Sequence, residues 1–248
     1  MTDIKPYLDS TYLKTAEQAG LSEQENDKVV EDFIAESIRE NFKLVMIRPQ
    51  YVAKARQMVS AAKSNLSVGT VIDFPHGNSS IDAKLAEAEK AIADGADELD
   101  FVCDYEAFKR GEVQKVKDEV LACTRLCLSH LKTVKWIIEV AALNNLQIAQ
   151  LSSLVKNIVM SHFKESEYQM VFVKSSTGFY QTTDGLPNGA TVPSIIIMLE
   201  NASPLPIKAA GGVRTYEEAL EMINLGVKRI GTSAAKAIAS GQVSGNTY

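Results

Sequence analysis

The chain is short of the residues that several simple function classes need. It has three histidines, and His76, His130 and His162 lie too far apart for metal-ligand spacing, so no metal centre is expected. It has three cysteines, an odd count; Cys123 and Cys127 stand four apart on an apolar helical face and Cys103 stands alone. That set fits neither a zinc finger nor a disulfide framework and reads as reduced, buried thiols in a cytoplasmic protein. No apolar run approaches the ~18 to 20 residues that cross a bilayer, and the opening MTDIKPYLDSTYL is too polar for a secretory leader, so no membrane role is expected. Positive charge is scarce as well. With 26 Lys and Arg against 31 Asp and Glu, the net charge is −5, which argues against nucleic acid as a partner and means that an anionic ligand needs a local positive field. Nor does any Pro-, Gly- or Ser-rich linker divide the sequence. Residues 1–248 are therefore expected to form a single domain, with a flexible tail at about 240–248.

What is present is a repeated unit. Short β-branched or aromatic runs alternate with longer segments whose apolar residues fall at helical spacing. Strands are expected at 6–10, 43–48, 67–74, 98–103, 134–140, 169–175, 205–210 and 228–232. Helices are expected at 27–40, 50–63, 80–94, 113–129, 145–163, 192–201 and 216–225, several closed by a glycine as in AIADGAD and MINLGVK. Eight such alternations predict an α/β fold of the (β/α)8 TIM-barrel type rather than an open doubly wound sheet. In either architecture, function belongs at the C-terminal ends of the strands.

Several strands carry charge where a barrel interior should be. Side chains alternate between the two faces of a strand. In VFVKSSTG, the valines suit the helix-facing side, which turns Met170, Phe172 and Lys174 inward. The same alternation turns Lys208 inward in the seventh strand, Asp100 inward in the fourth, and Lys135 and Glu139 inward in the fifth. Lys174 and Lys208, on neighbouring strands ~4.8 Å apart, should meet near the mouth. Burial and mutual repulsion both lower a lysine pKa, and the product is a nucleophilic amine able to form a Schiff base with a carbonyl. Asp100 is then a candidate proton carrier. A structural ion pair is the plain reading for one such lysine; two of them beside an inward carboxylate favour chemistry.

A phosphate grip is the second expectation. AAGGVRT places Gly211 and Gly212 at the end of the seventh strand, and RIGTSAAKAI places Gly231, Thr232 and Ser233 at the end of the eighth. Glycine turns bring backbone N–H groups close to an anion, and helix N-termini add partial positive charge. Gly178, in the SSTG turn after Lys174, can contribute another N–H. His76 sits on the DFPHGN loop without metal partners, and His130 and His162 read as helix-end residues. Asp9 can reach the same mouth from the first strand or serve as a cap. Tyr248, at the end of the tail, is a candidate proton relay.

Taken together, GADELDFV, VFVKSSTG and IKAAGGVRT, with LDSTYL, FPHGN and RIGTS around them, resemble the deoxyribose-phosphate aldolase family of class I aldolases. The resemblance covers most of the chain. It implies a (β/α)8 barrel that uses no cofactor or metal and reversibly cleaves 2-deoxy-D-ribose 5-phosphate to D-glyceraldehyde 3-phosphate and acetaldehyde. It also implies a homodimer acting on small phosphorylated sugars or aldehydes. By motif, Lys174 is the Schiff-base lysine, Lys208 depresses its pKa, Asp100 shuttles protons, and Gly211, Gly212, Gly231 and Ser233 surround the phosphate. Two positions depart from the family pattern. Phe179 stands where a lysine often follows the glycine, and Met46 stands where some members have cysteine. Other Schiff-base aldolases, of transaldolase or keto-acid type, a phosphate-binding barrel isomerase or synthase, and a non-catalytic binding module are the competing readings.

Overall fold

A computed structural model of the chain describes residues 2–183 and 185–241. These form a closed barrel of parallel strands in the order β1 to β8, each hydrogen-bonded to the next and β8 back to β1. The strands are β1 Leu8–Thr11, β2 Leu44–Ile47, β3 Ser67–Ile72, β4 Glu98–Val102, β5 Thr133–Ile137, β6 Val171–Lys174, β7 Ile207–Ala210 and β8 Arg229–Thr232. The helices are α1 Ala16–Ala19, α2 Glu23–Glu40, α3 Val52–Ala61, α4 Ile81–Ala93, α5 Tyr105–Lys109, α6 Val113–Ser129, α7 Asn145–His162, α8 Val192–Ala202, α9 Tyr216–Leu225 and α10 Ala235–Ala239. No helix among the described residues is long and apolar enough to cross a membrane.

The expected barrel is present, and the differences from expectation have local causes. Pro6, expected in β1, is the second residue of a 3-10 turn over Lys5–Tyr7, where its fixed φ suits the first turn, so β1 starts at Leu8. β5 stops at Ile137 rather than near 140, because Glu139 takes a left-handed φ of 54° and leads into a 3-10 turn over Val140–Ala142. Met170, expected to face inward, closes the 3-10 segment Glu165–Met170 and packs against the outer core. The short helices α1 and α5, too brief to show a periodicity, were not anticipated. Tyr248 and the rest of the tail beyond 241 lie outside the described residues.

The core has two parts. The larger lies between strands and helices, where Leu99, Phe101, Trp136, Val171, Val173, Ile207 and Ala209 face outward as the alternation requires. Trp136 is fully buried, stacks on Phe101 with centroids 5.3 Å apart, and donates its indole N–H to Thr124 at 3.0 Å. Cys103, Cys123 and Cys127 are buried, unbridged thiols in this layer. The smaller part is inside the barrel. There Leu13, Leu44, Met46 and Val71 pack together, with Phe74 and Phe179 resting on them. The barrel interior is thus apolar on the β2 and β3 side and, as described below, charged elsewhere.

The loop after β3 is held by a second buried ion cluster. Lys84 of α4 pairs with Glu119 of α6, approaches Asp73 at 3.3 Å, and donates to the carbonyls of Gly77 and Val102 at 2.9 and 2.7 Å. This clasp fixes the segment that carries Phe74, which meets Phe179 edge-on at 5.1 Å over the barrel mouth. Trp136→Ala should cost roughly 3 to 5 kcal/mol by leaving a cavity against Phe101. Urea unfolding measures it; a loss under about 1 kcal/mol would mean that the outer layer is packed differently.

Candidate active site

Each functional side chain owes its place to strand alternation. Lys174 ends β6 and sits in register beside Lys208 of β7, while Asp100 of β4 sits beside Lys135 of β5. All four point into the barrel with Asp9 of β1, Glu98 of β4 and Arg229 of β8, and all seven side chains are buried. Together they form one continuous ion network. Asp100 is its centre: Oδ2 accepts from Lys174 at 2.9 Å and from Lys208 at 2.8 Å, and Oδ1 accepts from Lys135 at 2.7 Å. Below it, Lys135 also reaches Glu98 at 2.7 Å, and Lys208 reaches Asp9 at 2.6 Å. Arg229 closes the ring, with Nε to Asp9 at 2.7 Å and Nη2 to Glu98 at 2.8 Å.

The network has four cationic side chains, Lys135, Lys174, Lys208 and Arg229, and three carboxylates, Asp9, Glu98 and Asp100. Lys135, Lys208 and Arg229 each touch at least two carboxylates; Lys174 touches Asp100 alone, among the described residues. In a poorly hydrated interior an unbalanced charge is costly, and the cheapest remedy is for one amine to lose its proton. Geometry selects Lys174. Burial lowers its pKa most, Asp100 opposes this, and Lys208 and Lys135 push it down further, leaving it at about 8. Burial would likewise lower Lys135, yet Asp100, Glu98 and Asp9 more than reverse it and hold that amine charged. Burial alone would raise Asp100; Lys135, Lys174 and Lys208 outweigh it and keep the carboxylate well below its usual range.

Burial and repulsion from Lys208 were the two causes expected from the sequence for a lowered Lys174 pKa, and both act here. In the structure desolvation is the larger cause and Lys208 the lesser one. Asp9 and Lys135, expected as accessory groups, are integral members of the network. Glu98 and Arg229, which complete it, were not singled out from the sequence.

Above the network lies a cavity of about 350 Å³, and Lys174 is the network member that lines it. Gly178, Gly211, Gly212, Gly231, Thr232 and Ser233 line it too, so the structure gathers the predicted lysine and the predicted glycine turns around one space. Gly231 also leaves room for the network below, since a Cβ there would stand 3.0 Å from Lys208 Cε and 3.2 Å from Ala210 Cβ. The Thr232 hydroxyl donates to the Val213 carbonyl at 2.9 Å and so ties the two turns together. The N-terminus of α9 is already capped: the Glu218 carboxylate accepts from the backbone N–H groups of Arg214 and Thr215 at 2.7 and 3.1 Å. In return the Thr215 hydroxyl oxygen accepts from the Glu218 backbone N–H at 3.1 Å, which completes a capping box at the start of α9.

Other residues complete the lining, among them Phe179, noted in the sequence as a departure from the family pattern. Lys14 and Arg214 bring two cations to the cavity, while Leu13 and Phe179 give it an apolar wall. Gly189 is packed so closely on the Gly211 turn that a Cβ would fall 2.4 Å from its backbone. Asn188 adds a hydrogen bond to the Gly178 carbonyl at 3.2 Å. Behind the β6 turn, the buried Glu139 carboxylate accepts from the Thr177 hydroxyl and, at 3.1 Å, from the Thr177 backbone N–H. Burial raises the Glu139 pKa against those hydrogen bonds. His76 lies on the β3 to α4 loop, His130 caps α6 and His162 ends α7. Among the described residues no group of three or more His, Cys, Asp or Glu is placed to hold a metal ion.

A deprotonated amine at the floor of such a cavity can add to a carbonyl carbon, and an ionised carboxylate in contact with it can take up and return protons. Comparison with known proteins bears on which carbonyl chemistry this is. Residues 12–247 match the family model described as DeoC/LacD family aldolase. The chain is 35% identical over 243 residues to the deoxyribose-phosphate aldolase of Thermococcus gammatolerans, covering 96% of each. Among solved structures it resembles the aldolase QR15, with a TM-score of 0.80, 30% identity and coverage of 97% of this chain and 96% of that one. It also resembles the tetrameric deoxyribose phosphate aldolase of Aeropyrum pernix, with a TM-score of 0.74, 25% identity and coverage of 96% and 89%.

Because Asp100 is what holds the proton on Lys174, Asp100→Asn should lower the Lys174 titration midpoint below its value of about 8. It should also destabilise the fold by roughly 3 to 5 kcal/mol, since buried cations lose their shared partner. Labelling of Lys174 with an amine-reactive probe across pH, together with denaturant unfolding, checks both; a midpoint that rises contradicts the assignment.

Proposed function

The chain belongs to the DeoC/LacD family of aldolases, and from that membership we propose that it reversibly cleaves 2-deoxy-D-ribose 5-phosphate to D-glyceraldehyde 3-phosphate and acetaldehyde through a Schiff base on Lys174. The observation that carries the reading is the position of Lys174: the cation of the network with a single carboxylate contact among the described residues, at the floor of the cavity, with a pKa of about 8. At neutral pH a useful fraction of such an amine is unprotonated, whereas an ordinary lysine is almost wholly charged.

In this mechanism the neutral Nζ attacks the C1 aldehyde of the open-chain sugar, and loss of water leaves a protonated imine. The imine draws electrons from the C2–C3 bond as the C3 hydroxyl gives up its proton. The bond breaks, C3 becomes the aldehyde carbon of glyceraldehyde 3-phosphate, and C1 and C2 remain on Lys174 as an enamine. Protonation at C2 and addition of water release acetaldehyde and restore the amine. Asp100, ionised and hydrogen-bonded to Lys174, is the proton carrier nearest the nitrogen and reaches the substrate directly or through water. Lys208 competes for the same carboxylate oxygen and so favours the neutral form of Lys174.

The phosphate is assigned to the turns after β7 and β8, with the backbone of Gly211, Gly212 and Gly231, the Gly178 turn and Ser233 around it. Lys14 and Arg214 at the cavity supply the local positive field that the acidic chain otherwise lacks. Thr232 acts in this reading by holding those turns in place. A cytoplasmic homodimer of one barrel domain per chain, with Tyr248 as a proton relay from the tail, completes the proposal; sedimentation and deletion of Tyr248 test those two parts.

Borohydride reduction in the presence of acetaldehyde should leave an ethyl group on Lys174, and Lys174→Leu should abolish both trapping and cleavage. Trapping of pyruvate or dihydroxyacetone instead would assign a different donor, and a Lys174→Leu variant cleaving deoxyribose 5-phosphate at the parent rate would refute the mechanism.

The pH dependence follows in sign. The nucleophile is the deprotonated form, so kcat/KM should climb as pH rises through about 8 and level off above it. In Lys208→Leu that limb should move to higher pH, because a repelling cation is gone and Asp100 is freer to hold the Lys174 proton. An unmoved limb would remove Lys208 from the mechanism.

A further inference from the structure

The part of the ion network farthest from the cavity has no role in the mechanism above, yet it decides how the carboxylates are shared. We infer that Arg229 and Glu98, neither of which lines the cavity, are a positioning pair that sets the protonation of Lys174 by controlling how much of Asp100 is left to it. The inference deepens the proposed reading of the same site and rests on Lys174 being its reactive amine.

The argument is one of competition for charge. Arg229 lies beside Lys208 in the sheet and spans the barrel floor, taking Asp9 Oδ1 on β1 and Glu98 Oε2 on β4. Its guanidinium also lies 5.9 Å from the Phe172 ring. By engaging Asp9 and Glu98, it divides the carboxylates that Lys208 and Lys135 would otherwise have to themselves. Both lysines therefore lean on Asp100, which is the sole carboxylate in contact with Lys174 among the described residues.

With Lys174 neutral, the network balances: Lys135, Lys208 and Arg229 against Asp9, Glu98 and Asp100. Remove Arg229 and two cations face three carboxylates, so the buried excess of negative charge is relieved by a proton on Lys174. Remove the Glu98 charge and three cations face two carboxylates, which drives the proton off Lys174 more readily. The groups facing Lys174 are Asp100 from β4, Lys135 and the Glu139 carboxyl from β5 and its turn, and Lys208 from β7; those facing Arg229 are Asp9, Glu98 and Lys135. Arg229 remains a cation throughout: burial works against its charge, but Asp9 and Glu98 raise its pKa.

The test compares Arg229→Met, Glu98→Gln and the double variant. For each, the pH midpoint for acetylation of Lys174 by acetic anhydride is read at its peptide by mass spectrometry, with the acid limb of kcat/KM measured alongside. Arg229→Met should move the midpoint up by about one pH unit or more, Glu98→Gln should move it down, and the double variant should return it toward the parent. A role confined to holding the barrel together gives no such opposition of sign. Midpoints that stay put, or that move the same way in both single variants, overturn the inference. Should Arg229→Met fail to fold, Glu98→Gln and the double variant still decide it: a downward shift that the second substitution reverses supports the pairing, and an unmoved or upward midpoint in Glu98→Gln sinks it. The labelling readout needs no turnover, so failure of the proposed aldol reaction shows as an absent kcat/KM while the midpoints still judge the positioning pair.

Discussion

A buried ammonium group needs a counter-charge, and in this barrel one carboxylate, Asp100, is shared by three of them. Lys135, Lys174 and Lys208 all close on it within 2.9 Å. Among the described residues Lys135 and Lys208 each have a second carboxylate below and Lys174 does not, so the deficit of negative charge falls on the residue that faces the cavity. Removing two ions from water is costly unless each is well paired. A fold that buries this many charges would be a poor choice for stability alone. It makes physical sense where the imbalance is used to keep one amine reactive.

The barrel makes that imbalance possible because each strand presents alternate residues to one interior. Charged groups from six strands reach the same floor, while β2 and β3 fill their side with Leu44, Met46 and Val71. The apolar side covers one flank of the network and, through Leu13 and Phe179, extends into the wall of the cavity. The turns above are braced against one another. Ser175 bonds to both the N–H and the carbonyl of Ala210 at 2.9 Å, Glu139 clamps Thr177, and Gly189 rests on the Gly211 turn. Such cross-bracing holds the end of β6, and with it Lys174, in a fixed relation to the glycine turns. Membership of the DeoC/LacD aldolase family and a cavity lined by a buried lysine of lowered pKa are mutually consistent.

The fold was legible because eight apolar runs alternate with helical periodicity, a pattern carried by many residues at once. Its boundaries were less so: the turn at Pro6 and the left-handed Glu139 shorten β1 and β5, and neither departure has a pattern of its own. Lys174, Lys208 and Asp100 could be found because each interrupts an apolar run, where alternation leaves no outward place for it. Glu98 and Arg229 escaped notice for the opposite reason. They sit at strand starts, next to the charged neighbours Asp97 and Lys228, where a sequence reads as solvated surface. Lys14 and Arg214 lie on loops, and only the closed barrel brings them to the cavity, as it brings Gly189 against the Gly211 turn.

The most direct measurement of the central claim is a heteronuclear NMR titration of the Lys174 Nζ in the folded, ligand-free protein. The account predicts a midpoint near 8, with Lys135 still charged at that pH. A Lys174 amine that keeps its proton up to the ordinary lysine value of about 10.4 would contradict it.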